Sequence, residues 1–433
     1  MIAHVAGRTF SLNLGFARPA GLHDDMRAGW VSALVMLPQA VILAALAGMP
    51  PEAGVYASVF PVIVAALLGA SRRLLSGPNT AVAVMTAAAL APLATPASTE
   101  YVALALSLSA MVGLLQIAGG ASGLGRLLDA MPEFVVRGVT IGVGLVIVAC
   151  QSTVVMGVLS IPGEAPWLTL WHAAAAFDRL NPCAVLAALV SVAAGVTVGR
   201  YRTRFLTPLV AALAAGTLCA LLLDLALGSD AVNLERLGHL SISLLPLSLP
   251  AFAADELYVL KQLLVSAVAI AVIGALQTVI IARSIAGLDG QPANPGRELV
   301  AQGAANVAAA LTSGFAGSGS FNRSAAHVSA GAKTPLAAVL SAIMMLAMVV
   351  VAEPVLAYVP TAAMAGTLLL VGWGLLRSTS PGRPQRGNRV TFWATLAVAA
   401  TVLFAGLEAA VFWGCAAGIA GLVWRCATAA KNG

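Results

Sequence analysis

Apolar runs of roughly twenty residues recur along the whole chain, and they restrict its fold more than any other feature. A run of that length is sufficient for one helix to cross the hydrocarbon core of a bilayer. Hydrophobic residues make up 60% of the 433 residues, and charged residues only 9%. Soluble domains contain about 25% charged residues, so the sequence predicts an all-α polytopic membrane protein.

Fourteen transmembrane segments fit between the charged or Pro/Gly-rich breaks of the sequence. They lie near 29–47, 54–70, 78–94, 102–121, 134–159, 182–199, 205–226, 261–282, 297–312, 321–331, 335–352, 356–376, 389–405 and 408–427. Segments three (78–94) and ten (321–331) are too short, or too interrupted by polar residues, to be simple spans. We therefore expect these two to be broken helices.

Lysine and arginine residues indicate the orientation, because cytoplasmic loops are rich in them. With a cytoplasmic N-terminus, only Arg179, Arg236 and Lys261 fall in loops on the opposite side. Both termini are therefore predicted to be cytoplasmic in a cell inner membrane, with the inserts 160–181 and 227–260 outside. The same bias accounts for the net charge of +6, so no nucleic-acid partner is expected.

Enzymatic and metal chemistry find little support in the sequence. The five cysteines are scattered and lack metal-binding spacing, so neither a metal nor another cofactor is expected. His172 and Asp178 resemble an acyltransferase box, but their spacing is one residue too long and they lie in an exterior insert. The chain is accordingly not expected to be an enzyme.

Two local matches indicate an internal repeat. Residues 37–48 read LPQAVILAALAG and residues 275–287 read ALQTVIIARSIAG, which aligns Gln39 with Gln277. Residues 76–84 read SGPNTAVAV and residues 318–328 read SGSFNRSAAHV. Both matches have an offset close to 240 residues. A repeat of seven segments must return with inverted topology, so the sequence predicts a 7+7 inverted repeat.

The two polar interruptions predict an anion site. A backbone that stops being helical within the membrane must line a cavity or be packed in protein. Two half-helices whose N-termini face each other direct positive dipole ends and free N–H groups at one point. The candidate residues are Ser76, Gly77, Pro78, Asn79 and Thr80 at segment three, and Ser320, Phe321, Asn322, Arg323 and Ser324 at segment ten.

Arg323 is the strongest single candidate, because an arginine at membrane depth is rare and commonly functional. Its forked guanidinium suits carboxylate, sulfate or bicarbonate. The alternative is that Arg323 reaches the membrane surface or pairs structurally with a carboxylate.

Five segments of the sequence resemble the SulP anion permeases, bacterial relatives of the mammalian sulfate/anion exchangers and prestin. They begin with DMRAGWVSALVMLPQAVILAALAGMPPEAGVYAS (25–58), SRRLLSGPNTAV (71–82) and LGRLLDAMPEFVVRGVTIGVGLVI (124–147). The other two are NPGRELVAQGAANV (294–307) and GSGSFNRSAAHVSAGAKTPL (317–336).

The resemblance implies a core domain (25–121 and 261–352) that moves against a gate domain (134–226 and 356–427) in alternating access. It also implies two repeats, 25–226 and 261–427, after a cytoplasmic segment 1–24 and around the outer insert 227–260. The substrate would lie between the starts of segments three and ten, next to Gln39 and Gln277. Members of the family commonly form homodimers.

Two departures from the family pattern leave the substrate and the coupling ion open. Gln277 stands where many bacterial relatives have a carboxylate, so sodium coupling is in doubt. Proton coupling at that position is also in doubt, or falls to another group such as His327 or the substrate itself. The chain ends at Gly433, so no STAS domain is expected, whether the short form is natural or a truncation.

The predicted function is secondary active transport of a small anion, such as sulfate, bicarbonate, a dicarboxylate or a zwitterionic sulfate ester like choline sulfate. For choline sulfate, Phe321 would have to face the quaternary ammonium. The alternatives are an anion channel or chloride/anion exchanger and, with less support, a nucleobase permease.

Overall fold

Helices account for most of the residues that the computed structural model describes. It describes residues 2–5, 8–11, 19–125, 133–158, 165–201, 208–236, 243, 246–250, 257–289, 294–378, 389–405, 409–410 and 413. The fourteenth predicted segment, 408–427, lies almost entirely outside these residues.

The described helices of the first half are α1 (Pro19–Leu46), α2 (Pro51–Leu68), α3 (Thr80–Leu90), α4 (Thr99–Ser122), α5 (Glu133–Val155), α6 (Pro166–Ala175), α7 (Pro182–Tyr201), α8 (Pro208–Leu227) and α9 (Ser229–Val232). Those of the second half are α10 (Leu257–Asp289), α11 (Pro295–Leu311), α12 (Phe321–Ser329), α13 (Leu336–Leu356), α14 (Thr361–Ser378) and α15 (Arg389–Ala405). A 3-10 turn spans Phe177–Arg179.

Local signals set several of these boundaries. Pro51 occupies the first turn of α2, where its missing N–H costs nothing, and Glu52 complements the helix dipole there. The Ser98 hydroxyl caps α4 by accepting from the Tyr101 N–H. Gly123 ends α4 in the left-handed conformation, at φ 90°.

Two details of the N-terminal region differ from the sequence prediction. The chain is predicted to be all-α, with 1–24 as a cytoplasmic N-terminal segment. Instead, β1 (Ile2–Val5) pairs antiparallel with β2 (Arg8–Ser11), in a register that places Ile2 opposite Ser11. A two-residue connection containing Gly7 favours such a hairpin. In addition, α1 begins at Pro19, about three turns before the first predicted apolar run. These first turns are polar, and they extend the helix beyond the part that needs to cross the bilayer.

Five described helices are long and apolar enough to cross a membrane: Pro51–Leu68, Thr99–Ser122, Pro182–Tyr201, Pro208–Leu227 and Lys261–Arg283 within α10. A sixth is α1, in which Gly21–Leu34 and Gln39–Leu46 meet at an angle of 42°. Pro38 lies at this bend, where it removes a backbone donor from the helix. The protein is therefore a multi-pass membrane protein.

The two helices that were expected to be short are short. α3 has 11 residues and α12 has 9, and each begins at its polar interruption. Both therefore start inside the helix bundle, directly after segments in which Ser76 and Ser318 are buried.

Most of the described helices pack into two groups. The first group contains α1–α4 and α10–α13, and its most extensive contact joins α4 to α11. The second group contains α5, α7, α8, α14 and α15. The groups meet where α1 contacts α8 and where α3 contacts α5. The crossing of α4 and α11 is close because Gly113 and Gly303 face each other, and a Cβ added to either glycine would meet the other's carbonyl oxygen.

Gly303→Ala should lower the thermal unfolding temperature of the purified protein. The new Cβ would lie 2.5 Å from the Gly113 carbonyl oxygen and 2.7 Å from the Ile117 nitrogen, so the helices must separate. Overpacking of this kind costs about 1–3 kcal/mol. Gly374→Ala is the control, because a Cβ on this exposed helical glycine meets nothing within 4 Å. Equal unfolding temperatures for the two variants would contradict the close crossing.

Candidate anion site

Two extended segments cross in front of the short helices. The segment before α3 and the segment before α12 are joined by backbone hydrogen bonds from the Ser318 N–H to the Gly77 carbonyl (2.9 Å) and from the Ser320 N–H to the Leu75 carbonyl (3.3 Å). The Leu75 N–H also donates to the Ser324 hydroxyl at 3.0 Å. The crossing satisfies backbone groups that would otherwise be unpaired in an apolar interior.

Asn79 connects the two helix starts. Its side-chain oxygen caps α3 by accepting from the Ala81 N–H at 2.9 Å. Its side-chain nitrogen donates to the Gly319 carbonyl at 3.1 Å, directly before α12. At the start of α12, the Ser320 hydroxyl makes no capping hydrogen bond and can serve another partner. The two N-termini are thereby fixed against each other.

Arg323 lies behind the crossing and is 1% exposed. Its Nη2 donates to the Pro78 carbonyl. A Cβ added to Gly77 would lie 2.8 Å from Nη1, and Gly77 has φ +128°, so this position requires glycine. Among the described residues, Nε has no hydrogen-bond partner. The guanidinium therefore places a positive charge next to the start of α3.

Gln277 and Thr278 hold the other side of the segment before α12. The Gln277 side-chain oxygen accepts from the Ser318 hydroxyl at 2.9 Å. The Thr278 hydroxyl accepts from the Gly319 N–H at 3.0 Å. Gln277 thus acts here as a neutral hydrogen-bond acceptor that positions the loop.

A buried polar network from α11 supports both segments from behind. The Gln302 side-chain oxygen accepts from the Ser76 hydroxyl at 2.8 Å, and its nitrogen donates to the Gly317 carbonyl at 3.0 Å. Asn306 accepts from the Gly317 N–H at 2.8 Å and donates to Gln116 at 2.8 Å. Such a fully bonded buried network favours one arrangement of the loops.

A cavity lies in front of the crossing, between the two helix groups. Its lining residues from the first group are Gln39, Ile42, Leu43, Pro78, Asn79, Thr80 and Ser320. Those from the second group are Leu209, Thr367 and Leu368. None of these lining residues is charged, so an anion here would rely on the two helix N-termini and on neutral donors.

The predicted site residues divide into two layers. Gln39, Pro78, Asn79, Thr80 and Ser320 line the cavity, as stated above. Ser76, Gly77, Gln277, Arg323 and Ser324 brace the loops from behind. Phe321 and Asn322 lie in the first turn of α12, and their side chains are outside the description. Their joint role in holding a substrate stays a prediction.

Several lining and supporting residues were missed by the sequence analysis. Ile42 and Leu43 lie one turn beyond Gln39, a spacing that could have indicated them. Leu209, Thr367 and Leu368 come from other helices, and no sequence pattern signalled them. Gln302 and Asn306 fall within the segment 294–307 that carries the family resemblance, but the sequence does not reveal what they contact.

The opposite end of α12 is tied to α1. Asp25 accepts from the Lys333 N–H (2.8 Å), the Thr334 N–H (3.1 Å) and the Thr334 hydroxyl (2.5 Å). The Lys333 ammonium lies 2.5 Å from the Asp24 carboxylate. The turn after α12 is therefore fixed where the polar part of α1 begins.

The chain is similar to known transporters over most of its length. The sequence profile of the sulfate permease family matches residues 22–398. A probable sulfate transporter of Mycobacterium tuberculosis is 33% identical over 401 residues, which are 92% of this chain and 69% of that protein. The bicarbonate transporter BicA of Synechocystis is 28% identical over 361 residues, which are 82% of this chain and 62% of BicA.

Solved structures share the fold. The transmembrane domain of a cyanobacterial bicarbonate transporter BicA aligns with a TM-score of 0.82 and 26% identity, covering 93% of this chain and all of that domain (100%). The murine solute carrier 26 family member A9 anion transporter, in the inward-facing state, aligns with a TM-score of 0.83 and 18% identity. That alignment covers 95% of this chain and 70% of the transporter, and it bears on the fold alone.

Asn79→Asp should abolish anion binding while the protein remains folded. The aspartate still caps α3, but it loses the donor to Gly319 and brings a negative charge to the cavity. Thermal stabilisation by anions measures binding. Ser98→Ala is the matched control, because it removes the cap of α4, costing about 1 kcal/mol, far from the cavity. Anion binding by Asn79→Asp as strong as that of the unmodified protein would contradict this site.

Proposed function

The chain belongs to the sulfate permease (SulP) family, and from this premise we propose that it is a secondary active transporter that moves a small anion by alternating access. The family and the similar transporters make it a membrane anion transporter. The proposal adds the site, the mechanism and the substrate class.

One observation carries the proposal. The N-termini of two short helices meet at a cavity whose remaining wall comes from the second helix group. Free N–H groups and helix dipoles there favour a negative charge, and Asn79, Thr80, Ser320 and Gln39 supply neutral hydrogen-bonding groups. A site between two bodies is opened to one side or the other when the bodies shift, as alternating access requires.

The packing of the helices supports the 7+7 inverted repeat. Counting predicted segments, α1, α2, α3 and α4 correspond to α10, α11, α12 and α13. When each helix is replaced by its counterpart, a contact in one half becomes a contact that is also present in the other. The contact of α1 with α13 corresponds to that of α10 with α4, and the contact of α4 with α11 to that of α13 with α2. In the same way, the contact of α3 with α10 corresponds to that of α12 with α1. Such reciprocity is expected of a pseudo-two-fold axis. The first helix group is then the core domain (25–121, 261–352) and the second belongs to the gate domain (134–226, 356–427).

The lining of the cavity bears on the substrate. Ile42, Leu43, Leu209 and Leu368 form an aliphatic portion beside the polar residues. This combination accommodates either a partly dehydrated oxyanion, such as sulfate, bicarbonate or a dicarboxylate, or an organic sulfate ester with an apolar body. Zwitterionic choline sulfate belongs to the second type.

The proposed orientation places both termini in the cytoplasm of a cell with an inner membrane. Lys333, at the turn after α12, lies on that side, whereas α6 and α9 lie outside. The protein would act as a homodimer.

Purified protein in proteoliposomes should catalyse saturable uptake of at least one labelled anion, and uptake should be accelerated by the same unlabelled anion inside. A thermal-shift screen of sulfate, bicarbonate, succinate, chloride and choline sulfate selects the anion, since a ligand at a hundred times its Kd stabilises by about 2.7 kcal/mol. Uptake that never saturates and lacks counterflow would instead indicate a channel. No stabilisation and no uptake by any of these anions would refute the proposal.

Arg323→Gln should weaken anion binding by tenfold or more, whereas Arg323→Lys should retain part of the binding. Glutamine keeps a polar side chain but lacks the positive charge, whereas lysine keeps the charge, so this pair tests whether the charge matters. Arg179→Ala, in the exposed exterior turn, is the control. Binding by Arg323→Gln at the unmodified level would show that anion binding does not depend on the guanidinium charge.

A further inference from the structure

His327 is a buried titratable residue close to the candidate anion site. It lies on α12, is 0% exposed, and its Nδ1 lies 2.7 Å from the Ser32 hydroxyl of α1. Its Nε2 is buried and has no hydrogen-bond partner among the described residues. A buried polar atom without a partner is uncommon in a native structure and calls for an explanation.

The helix connects His327 to the cavity. Ser320 lines the cavity at the start of α12, Arg323 follows within one turn, and His327 lies one turn beyond Arg323 on the same face. At 1.5 Å of rise per residue, the imidazole lies roughly 10 Å from an anion bound at the helix start. Arg323 Nε, between them, is also buried without a partner.

Charged groups face the imidazole from each neighbouring element. On α1, Asp25 acts on the ring electrostatically, and Arg73 in the segment between α2 and α3 acts with the opposite sign. Arg323 is on the same helix, and Lys333 lies in the turn that follows. Both Asp25 oxygens accept hydrogen bonds from residues 333 and 334, and the ring's one hydrogen-bond partner in the described residues is Ser32.

We propose that His327 is the proton-binding residue that couples anion transport to proton movement, an inference that rests on the proposed function. In the present arrangement the ring is neutral, because an imidazolium has two N–H donors and, within the described residues, only Ser32 is placed to accept. An anion at the start of α12 adds negative charge in a medium of low dielectric, which favours the imidazolium. By linkage, protonation of His327 then strengthens anion binding equally.

Each transport step moves one proton together with one anion. One proton from the side that the cavity faces binds Nε2 as one anion binds, and both leave on the opposite side. Gln277, which cannot release a proton, is not required for this coupling.

The test uses proteoliposomes that contain a pH-sensitive dye. Sulfate, succinate, chloride and choline sulfate are first compared for counterflow of the labelled anion, and the transported one is then used. The unmodified protein should acidify the lumen when the anion enters, and an inward proton gradient should accelerate uptake about tenfold. His327→Asn, which keeps a polar group near Ser32 but cannot titrate, should retain counterflow at symmetric pH within about threefold and lose luminal acidification.

His172→Asn is the matched control, since His172 is exposed on α6, and it should acidify as the unmodified protein does. Counterflow without acidification in the unmodified protein, or acidification that persists in His327→Asn, would overturn the coupling role and leave the transporter proposal intact. Absence of counterflow with every anion would refute the transporter proposal, and the coupling proposal with it.

A second variant decides the question if His327→Asn does not fold. Ser32→Ala removes the partner of Nδ1 and leaves the imidazole in place, so the pH midpoint of uptake should shift while acidification persists. An unchanged pH profile in a folded Ser32→Ala protein would overturn the proposal.

Discussion

The backbone pairing between the segments before α3 and α12 is the contact on which the site depends. Two helices that begin inside an apolar bundle each expose N–H groups, and the segments leading to them have no regular partners of their own. By crossing, these segments satisfy one another, through Ser318 with Gly77 and Ser320 with Leu75. The same contact brings both helix N-termini to one cavity.

Several of the buried polar side chains in the described residues serve this crossing. Gln302 contacts both segments, Asn79 joins both helix starts, and Arg323 places its charge against the Pro78 carbonyl. The candidate anion site is thus two-layered, with neutral hydrogen-bonding groups at the cavity and the arginine behind them. In the proposed transporter, a charge set back from the cavity would attract an anion without holding it so tightly that release becomes slow.

Individual residues show which parts of the candidate site local sequence patterns identify and which parts they do not. Asn79 and Ser320 were found because polar residues at the start of a short apolar segment signal a helix cap. Arg323 was found because charge at membrane depth is costly, but its distance from the cavity depends on its contact with Pro78, 245 residues away in sequence. Thr367 and Leu368 were missed because nothing in an apolar helix indicates which face borders a cavity.

By itself, the sequence determined that the protein lies in a membrane, that its helices are interrupted at two related places, and that an anion is the appropriate ligand. These conclusions follow from apolar length, local capping signals and charge, which are properties of short stretches of chain. Only the tertiary structure decided which residues line the cavity, that Gln277 is an acceptor for Ser318, and that His327 is buried beside Ser32. Each of these depends on contacts between residues far apart in sequence, and no local pattern encodes such contacts.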